Sequence, residues 1–535
     1  MPQDQRVDAV VIGAGHNGLV AATYLARAGL RTLVLERRPV AGGACVTEEL
    51  WPGFRVSRAA YVAGLLRPAL VRELGLSGRG LRLLPRVPSS FTPLPDGRAL
   101  RLGPDAAASR ASIRAFSPRD ADRYPHYEAF LDRAARALEP LLDAPPPALP
   151  RPALRDLATL VRVGTRLLRL GRELPDALAL LLGPARPALE GWFESEPLRS
   201  TLATDALIGA FAAPSSPGTG YVLFHHVMGE TNGHRGVWAY VEGGMGRLAM
   251  ALEAALRDAG GILRTDAPVS RVRVESGRAR GVVLEDGTEI EARLVVSNAD
   301  PARTLRLVGR EHVPEAYARG IEALDFRSPA LKMNVALDAA PRFRVAGAQA
   351  HGIGPEHHGT IHLGAYDLDA LEASFAAASA GRLPDRPMIE LTIPSAVDPG
   401  VAPAGRHVAS LFVQHVPYAL SGTSWAAERE GFADRVLALV DEVAPGFSSS
   451  VLQREVLAPP DLERVFGLTG GNLFHGAMTP DRLLSLRPLP GHGGYRTPVE
   501  GLWLCGAGTH PGGGVMGACG RNAAAAILRA WRGAV

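Results

Sequence analysis

Apolar positions along this chain change period at definite points, and those changes mark out its elements. Residues 7–12, Val-Asp-Ala-Val-Val-Ile, form a short apolar run of the kind a buried strand needs. Residues 19–29 carry apolar positions at helical spacing and stop at a glycine, and residues 31–35 predict a second strand that closes on Glu36. After a long excursion, Glu242-Gly243-Gly244-Met245-Gly246 opens another helix running to about Ala259, stopped by Gly260-Gly261. A strand to Leu263 follows. Residues 269–274, 279–284 and 288–296 then alternate with turn signals, predicting a β-meander inserted before one further parallel strand that ends at Ser297-Asn298-Ala299-Asp300. Near the C-terminus, residues 501–505 predict a buried strand, 506–514 a glycine loop, and 515–531 an alanine-rich helix.

The first strand and helix are joined by Gly13-Ala14-Gly15-His16-Asn17-Gly18, a GxGxxG. Strand, glycine turn, helix, strand and acid together make a dinucleotide-binding unit. Gly13 permits the tight turn, Gly15 lets the backbone approach a pyrophosphate, and Gly18 lets helix and strand pack closely. The helix N-terminus offers free N–H groups to phosphates. Glu36 is placed to bind ribose hydroxyls, which disfavours a 2′-phosphate. A strand at Val269 places backbone groups where an adenine could be held, and Asn298 ends the parallel strand beside the turn. A helix N-terminus near Met516, Gly517 and Ala518, after Gly506 and Ala507, would face the electron-rich edge of a bound ring.

A second glycine pair, Gly42-Gly43, follows Glu36 closely, and this turn resembles the flavoprotein motif in which the chain returns across the FAD pyrophosphate. The motif usually has Arg where this chain has Ala44, which leaves Arg37 or Arg38 to supply that contact. Taken together, His16-Asn17-Gly18, residues 242–246, Gly470-Gly471-Asn472-Leu473-Phe474-His475-Gly476 and residues 507–514 resemble the phytoene desaturase-like FAD-dependent oxidoreductases. Within them the chain looks nearest the branch called pyridine nucleotide-disulfide oxidoreductase domain-containing protein 2, in the wider flavin amine oxidase clan. The resemblance covers nearly the whole chain. It implies FAD as cofactor, and a lysine near the flavin on the strand that follows the last parallel strand. Lys332 matches that lysine in chain position. No redox-active cysteine pair and no second strand–GxGxxG–helix unit accompany the branch's name, so reoxidation by O2, a quinone or a partner protein is expected.

The resulting fold class is α/β joined to α+β. A discontinuous Rossmann-like FAD-binding domain is expected from residues 1–75, 236–305 and 486–535. A substrate domain of antiparallel sheet plus helices is expected from 76–235 and 306–485. Residues 328–337, 361–365, 388–393 and 407–413 predict strands of one antiparallel sheet roofing the flavin. Residues 141–152 are proline-rich and predict a loop. Residues 153–182 predict basic helices with leucines at helical spacing, either lid helices over an apolar core or a membrane-surface entry for a lipophilic substrate.

With 535 residues, two domains are the natural expectation. Apolar residues are 47% and charged residues 21%, as in folded globular chains. The net charge of +4 does not suggest nucleic acid. No apolar stretch reaches the roughly 18 residues of a membrane span, and the early first strand leaves no room for a signal peptide. Cys45, Cys505 and Cys519 form no CxxC or metal spacing and suit a reducing cytoplasm. All but one of the 58 basic residues are arginine, and Lys332 is the exception. A compact ammonium cannot be replaced by a planar guanidinium without changing what it touches.

His475 and His510, in glycine-rich stretches, are the other catalytic candidates. His225, His226 and His234 lack a completing carboxylate or cysteine at familiar spacing, so no metal is expected. The reaction expected is hydride removal from an apolar substrate of carotenoid or isoprenoid type, as desaturation or isomerisation. Two alternatives stand beside it: an amine-type oxidase forming C=N, and a non-catalytic regulatory flavoprotein. The sequence carries no signal for an oligomeric state.

Overall fold

The computed structural model describes residues 6–148, 152–231, 233–345 and 352–534. The end of the proline-rich stretch, 149–151, and the side chain of His234 lie outside the described residues.

A seven-stranded sheet is built from the two ends of the chain and a central segment. Its order is Ile262–Arg264, Thr32–Leu35, Arg6–Ile12, Glu289–Ser297, Arg278–Leu284 and Val269–Glu275, with Leu502–Leu504 pairing Glu289–Ser297. Arg6–Ile12 runs parallel to both of its neighbours, and Leu502–Leu504 runs parallel to Val295–Ser297. Val10, Val11, Val295 and Val296 have no exposed surface, which is why the central strands read as unbroken apolar runs rather than alternating ones. The meander does not precede a separate parallel strand. Its third member is that strand: nine residues long, it pairs antiparallel through Glu289–Glu291 and carries the parallel ladder from Glu291 to Ser297.

The first helix spans His16–Arg27, beginning three residues earlier than the apolar pattern implied, because the Leu19 amide already donates to the Gly15 carbonyl. It is pressed on two sides by backbone. A Cβ on Gly18 would lie 2.2 Å from the Gly13 carbonyl oxygen, and one on Gly520 would lie 2.1 Å from the Asn17 carbonyl oxygen. Gly520 belongs to the last helix, Ala518–Ala534, so the two ends of the chain meet at this contact. The last helix starts later than expected. Gly514 and Gly517 adopt positive φ of 102° and 72°, and Val515-Met516 between them is therefore loop.

The second sheet has the order Val451–Leu457, Ala330–Leu337, His407–Gln414, Met388–Thr392, Thr360–Leu363, Ser90–Pro93 and Ala99–Leu102. It is antiparallel except between Thr360–Leu363 and Ser90–Pro93. The four strands expected from the sequence are its centre; the strands at 90–93, 99–102 and 451–457 were not foreseen. Side chains alternate between its faces. Leu331, Met333, Val335 and Leu337 pack with Phe432, Val436 and Val440 from the helix Trp425–Asp441. The opposite face carries Lys332 level with Phe412 and Glu390, and Asn334 level with Ser410 and Glu455. Helices Pro118–Leu142, Glu196–Leu207 and Thr219–Val227 form an apolar cluster of their own. Among the described residues no helix is long and apolar enough to cross a membrane.

Gly520→Ala should therefore destabilise the protein by about 1–3 kcal/mol, because the atoms it meets are backbone and cannot turn aside. Gly431→Ala, on an open face of the helix Trp425–Asp441 with nothing within 4 Å, should stabilise by about 0.5–1 kcal/mol. Chemical denaturation of the two variants side by side checks both signs.

Candidate active site

Three stretches distant in the chain wall one cavity of about 310 Å³. The N-terminal unit contributes Gly13, Gly15, His16, Asn17, Glu36, Arg37, Arg38, Gly43 and Ala44; the central segment contributes Val269 and Asn298; the C-terminal segment contributes Ala507, Gly514 and Val515. Glu36 is nearly buried and braces the turn. One carboxylate oxygen accepts the Ala14 amide at 2.9 Å, and the other accepts the Arg38 amide at 3.0 Å. The second glycine turn lies directly on the first. The Gly42 amide donates to the Ala14 carbonyl at 2.9 Å, and a Cβ on Gly43 would sit 3.2 Å from Gly15 Cα. Asn298 closes the other side, with Nδ2 only 2.7 Å from where a Gly15 Cβ would be. Side chains are thus excluded around the turn, and bare backbone faces the cavity.

The two arginines after Glu36 differ. Arg37 donates to the carbonyls of Val465 and Arg464. Arg38 holds both oxygens of Glu48 through one terminal nitrogen and lies over the Phe466 ring, while its other terminal nitrogen is buried without a partner among the described residues. His475 Nδ1 is likewise buried without a partner among the described residues, and it lines the same cavity with His16. Burial, with His475 beside it, pushes the His16 pKa down to about 4, so its imidazole is neutral at pH 7.

Several expected residues sit behind the wall rather than on it. Ala14, Gly18 and Gly42 shape the turns but do not line the cavity. Gly506, Met516, Gly517 and Ala518 are likewise off the wall, because the glycine-rich loop turns earlier and presents Ala507, Gly514 and Val515. His510 points away: its Nε2 bonds the Leu141 carbonyl at 2.7 Å, tying the C-terminal loop to the helix Pro118–Leu142. Lys332 is 1% exposed and is screened from the cavity by Tyr61. Its Nζ lies 3.8 Å from the Tyr61 ring centroid and donates to Ser410 Oγ. Burial pulls the Lys332 pKa down to about 7, opposed by Glu390 and Glu455.

A second chamber of about 420 Å³ adjoins the first and shares Tyr61, Val62, Ile208 and Trp238 with it. Its lining includes Arg86, Asp205, His362 and Glu390. Tyr61 Oη donates to Glu390 at 3.0 Å. Burial, with Asp205 nearby, raises the Glu390 pKa to about 7; burial raises Asp205 to about 7 against the pull of Arg86. Sequence reasoning missed this chamber. The signal was an acid inside an apolar strand, Met-Ile-Glu-Leu-Thr, and another among the buried alanines of helix Glu196–Leu207.

The chain belongs to the flavin-containing amine oxidoreductase family, whose pattern matches residues 18–359, and its cofactor is FAD. The rat protein called pyridine nucleotide-disulfide oxidoreductase domain-containing protein 2 is 49% identical, over 98% of this chain and 93% of its own. One of the subunits of the limonene dehydrogenase of Castellaniella defragrans is 28% identical, over 99% and 96% of the two chains. A lycopene-forming phytoene desaturase of Pseudescherichia vulneris is 27% identical, over 97% and 98%. The structure of cyclohexylamine oxidase from Brevibacterium oxydans shares the fold, with a TM-score of 0.58 at 17% identity over 98% and 99% of the chains. The glycine-bared turn and the unpartnered nitrogens of Arg38 and His475 fit the phosphates and polar edges of a dinucleotide. Cys45, Cys505 and Cys519 are free and buried, and burial raises Cys45 to about 12, which keeps it a thiol at neutral pH.

Lys332 generates a pH test. Its folded pKa near 7 lies below the unfolded value of about 10.4, so between those pH values the unfolded chain holds a proton the fold has lost. Stability should rise with pH across that window, by up to about 1.4 kcal/mol per pH unit. In Lys332→Met that contribution is absent. Denaturation midpoints of the two proteins should diverge in favour of wild type from pH 7 to pH 10; a constant difference would show that Lys332 keeps its proton.

Proposed function

We propose that this protein is an FAD-dependent enzyme that removes a hydride from carbon of an organic substrate held in the second chamber. The product gains a C=C or C=N bond. The observation that carries the reading is the shared wall: Tyr61, Val62, Ile208 and Trp238 border both spaces, so a substrate carbon can stand against the cofactor cavity. FAD, when bound, supplies the two-electron acceptor and is reoxidised by O2, a quinone or a partner protein.

The chain's own residues position and shield. Gly13, Gly15 and Asn17 would hold the pyrophosphate, Glu36 the ribose, and Val269 the adenine. Asn298 and Ala44 border the same run of cofactor. Arg38, with a free nitrogen at the cavity, is the better placed of the two arginines to stand in for the arginine that Ala44 replaces. Ala507, Gly514 and Val515 would face the ring, and His475 offers an open hydrogen-bonding atom beside them. Lys332 acts through Tyr61, its Nζ standing over the ring and holding it by a cation–π contact when protonated. Residues 1–75, 236–305 and 486–535 form the cofactor domain in this reading, with 76–235 and 306–485 closing the substrate space.

Val62 and Ile208 on the shared wall, with the names of the limonene and phytoene relatives, support a substrate with an apolar body. Leu154, Val161 and Leu168, exposed on one helix beside Arg162 and Arg166, support a peripheral membrane contact through which such a substrate would arrive.

Ile208→Trp should add bulk on the shared wall and keep a substrate carbon away from the cofactor cavity. FAD content should be unchanged, while the rate at which substrate bleaches the flavin anaerobically should fall on the order of 100-fold. If the variant is bleached at the wild-type rate, the shared wall is not the site of reaction. If no organic donor bleaches the wild-type flavin, the non-catalytic reading takes its place.

A further inference from the structure

We infer that Asp205 anchors a hydrogen-bond-donating head group, so that the substrate is amphipathic rather than a bare hydrocarbon. The inference rests on the second chamber being the substrate space.

Asp205 stands on the helix Glu196–Leu207, whose Ala203, Ala206 and Leu207 are buried among the lid helices, and it faces the chamber instead. Its backbone carbonyl is engaged by His226 Nδ1 at 2.7 Å, but no donor among the described residues bonds its carboxylate. The side chain is half-buried and opens onto the chamber, so its oxygens are free to accept from a donor on a bound ligand. The cation that faces it, Arg86, is committed elsewhere: it donates to Thr360 Oγ1 at 2.7 Å and to the Trp238 carbonyl at 3.1 Å, and it lies over the Tyr240 ring.

The surroundings point the same way. Glu390 adds a second acceptor, with one oxygen taking the Tyr61 hydroxyl and the other 4.0 Å from His362 Nδ1. Five carboxylates line the chamber against three guanidiniums, and two of those, Arg136 and Arg235, bond Asp132. An anionic head would find the guanidiniums already committed, and a hydrocarbon would leave Asp205 without a donor. An ammonium or a hydroxyl satisfies it. Tyr61, Val62, Ile208 and Trp238 stand where this acidic chamber meets the cofactor cavity, so the head group binds in one place and the reacting carbon in another.

The test titrates octylamine, octanol and octanoate into the FAD-loaded protein and follows the visible spectrum of the flavin. Octylamine, octanol or both should perturb the spectrum, and octanoate should not. In Asp205→Asn the responding donor should bind at least about tenfold more weakly, a loss of about 1.4 kcal/mol. FAD content and reduction by dithionite should be unchanged; their loss in wild type would instead count against the FAD enzyme reading itself. Asp205→Asn keeps the shape and replaces the carboxyl with a neutral amide, so its melting temperature should hold or rise. Asp205→Ser serves if the amide variant does not fold. Equal binding of all three probes, or unaltered binding of the donor by whichever variant folds, overturns the inference.

Discussion

The helix His16–Arg27 is gripped by two backbone contacts that only glycine allows, and the rest of the site depends on that grip. Gly18 lets the helix sit against the Gly13 carbonyl at the end of the first strand. Gly520 lets the last helix sit against the Asn17 carbonyl. One contact fixes the angle at which the helix N-terminus leaves the sheet; the other brings residues more than 500 positions away to the same place. The C-terminal strand Leu502–Leu504 reinforces this by joining the parallel ladder beside Glu289–Ser297. Glu36, through its carboxylate, and the Gly42-Gly43 turn, through its backbone, are then hydrogen-bonded to Ala14 of the first turn, and the cavity wall follows.

The second sheet is fastened to this frame through charges. Glu48, on the strand Thr47–Trp51, is shared by Arg38 and Arg58, and Arg58 reaches Glu455 on the second sheet. Asn334 bonds both the Arg58 carbonyl and Glu455. A face of the sheet that would otherwise be apolar therefore carries Lys332, Asn334, Glu390 and Ser410, all buried, with Glu455 half-buried at their edge. Removing one member of such a network strands the others. The arrangement explains why a lysine is found there: a guanidinium is too broad to donate to Ser410 while standing over the Tyr61 ring.

The parts legible in the sequence were those with short-range logic. The GxGxxG turn, the acid after the second strand, the second glycine pair and the central strands of both sheets all announce themselves through period and turn chemistry, and the structure places Gly13, Gly15, Glu36, Gly43, Val269 and Asn298 around one cavity. Positions that depend on how a loop folds back were less legible. Two positive-φ glycines move the start of the last helix from Val515 to Ala518, so the wall is built from Gly514 and Val515, and a single hydrogen bond to Leu141 turns the buried His510 away from the cavity. Tyr61, Asp205, Trp238 and Glu390 come from four separate elements. Their meeting is a product of tertiary packing, and local pattern shows only that Asp205 and Glu390 are polar where their neighbours are not.

The central claim is that the N-terminal unit, the segment around Val269 and Asn298, and the C-terminal loop hold a single flavin nucleotide between them. The most direct measurement is a titration of FAD-stripped protein with FAD, following flavin fluorescence to saturation. Saturable binding at one FAD per chain is the result expected. A colourless protein that takes up no FAD, or one that saturates at two nucleotides per chain, would contradict it.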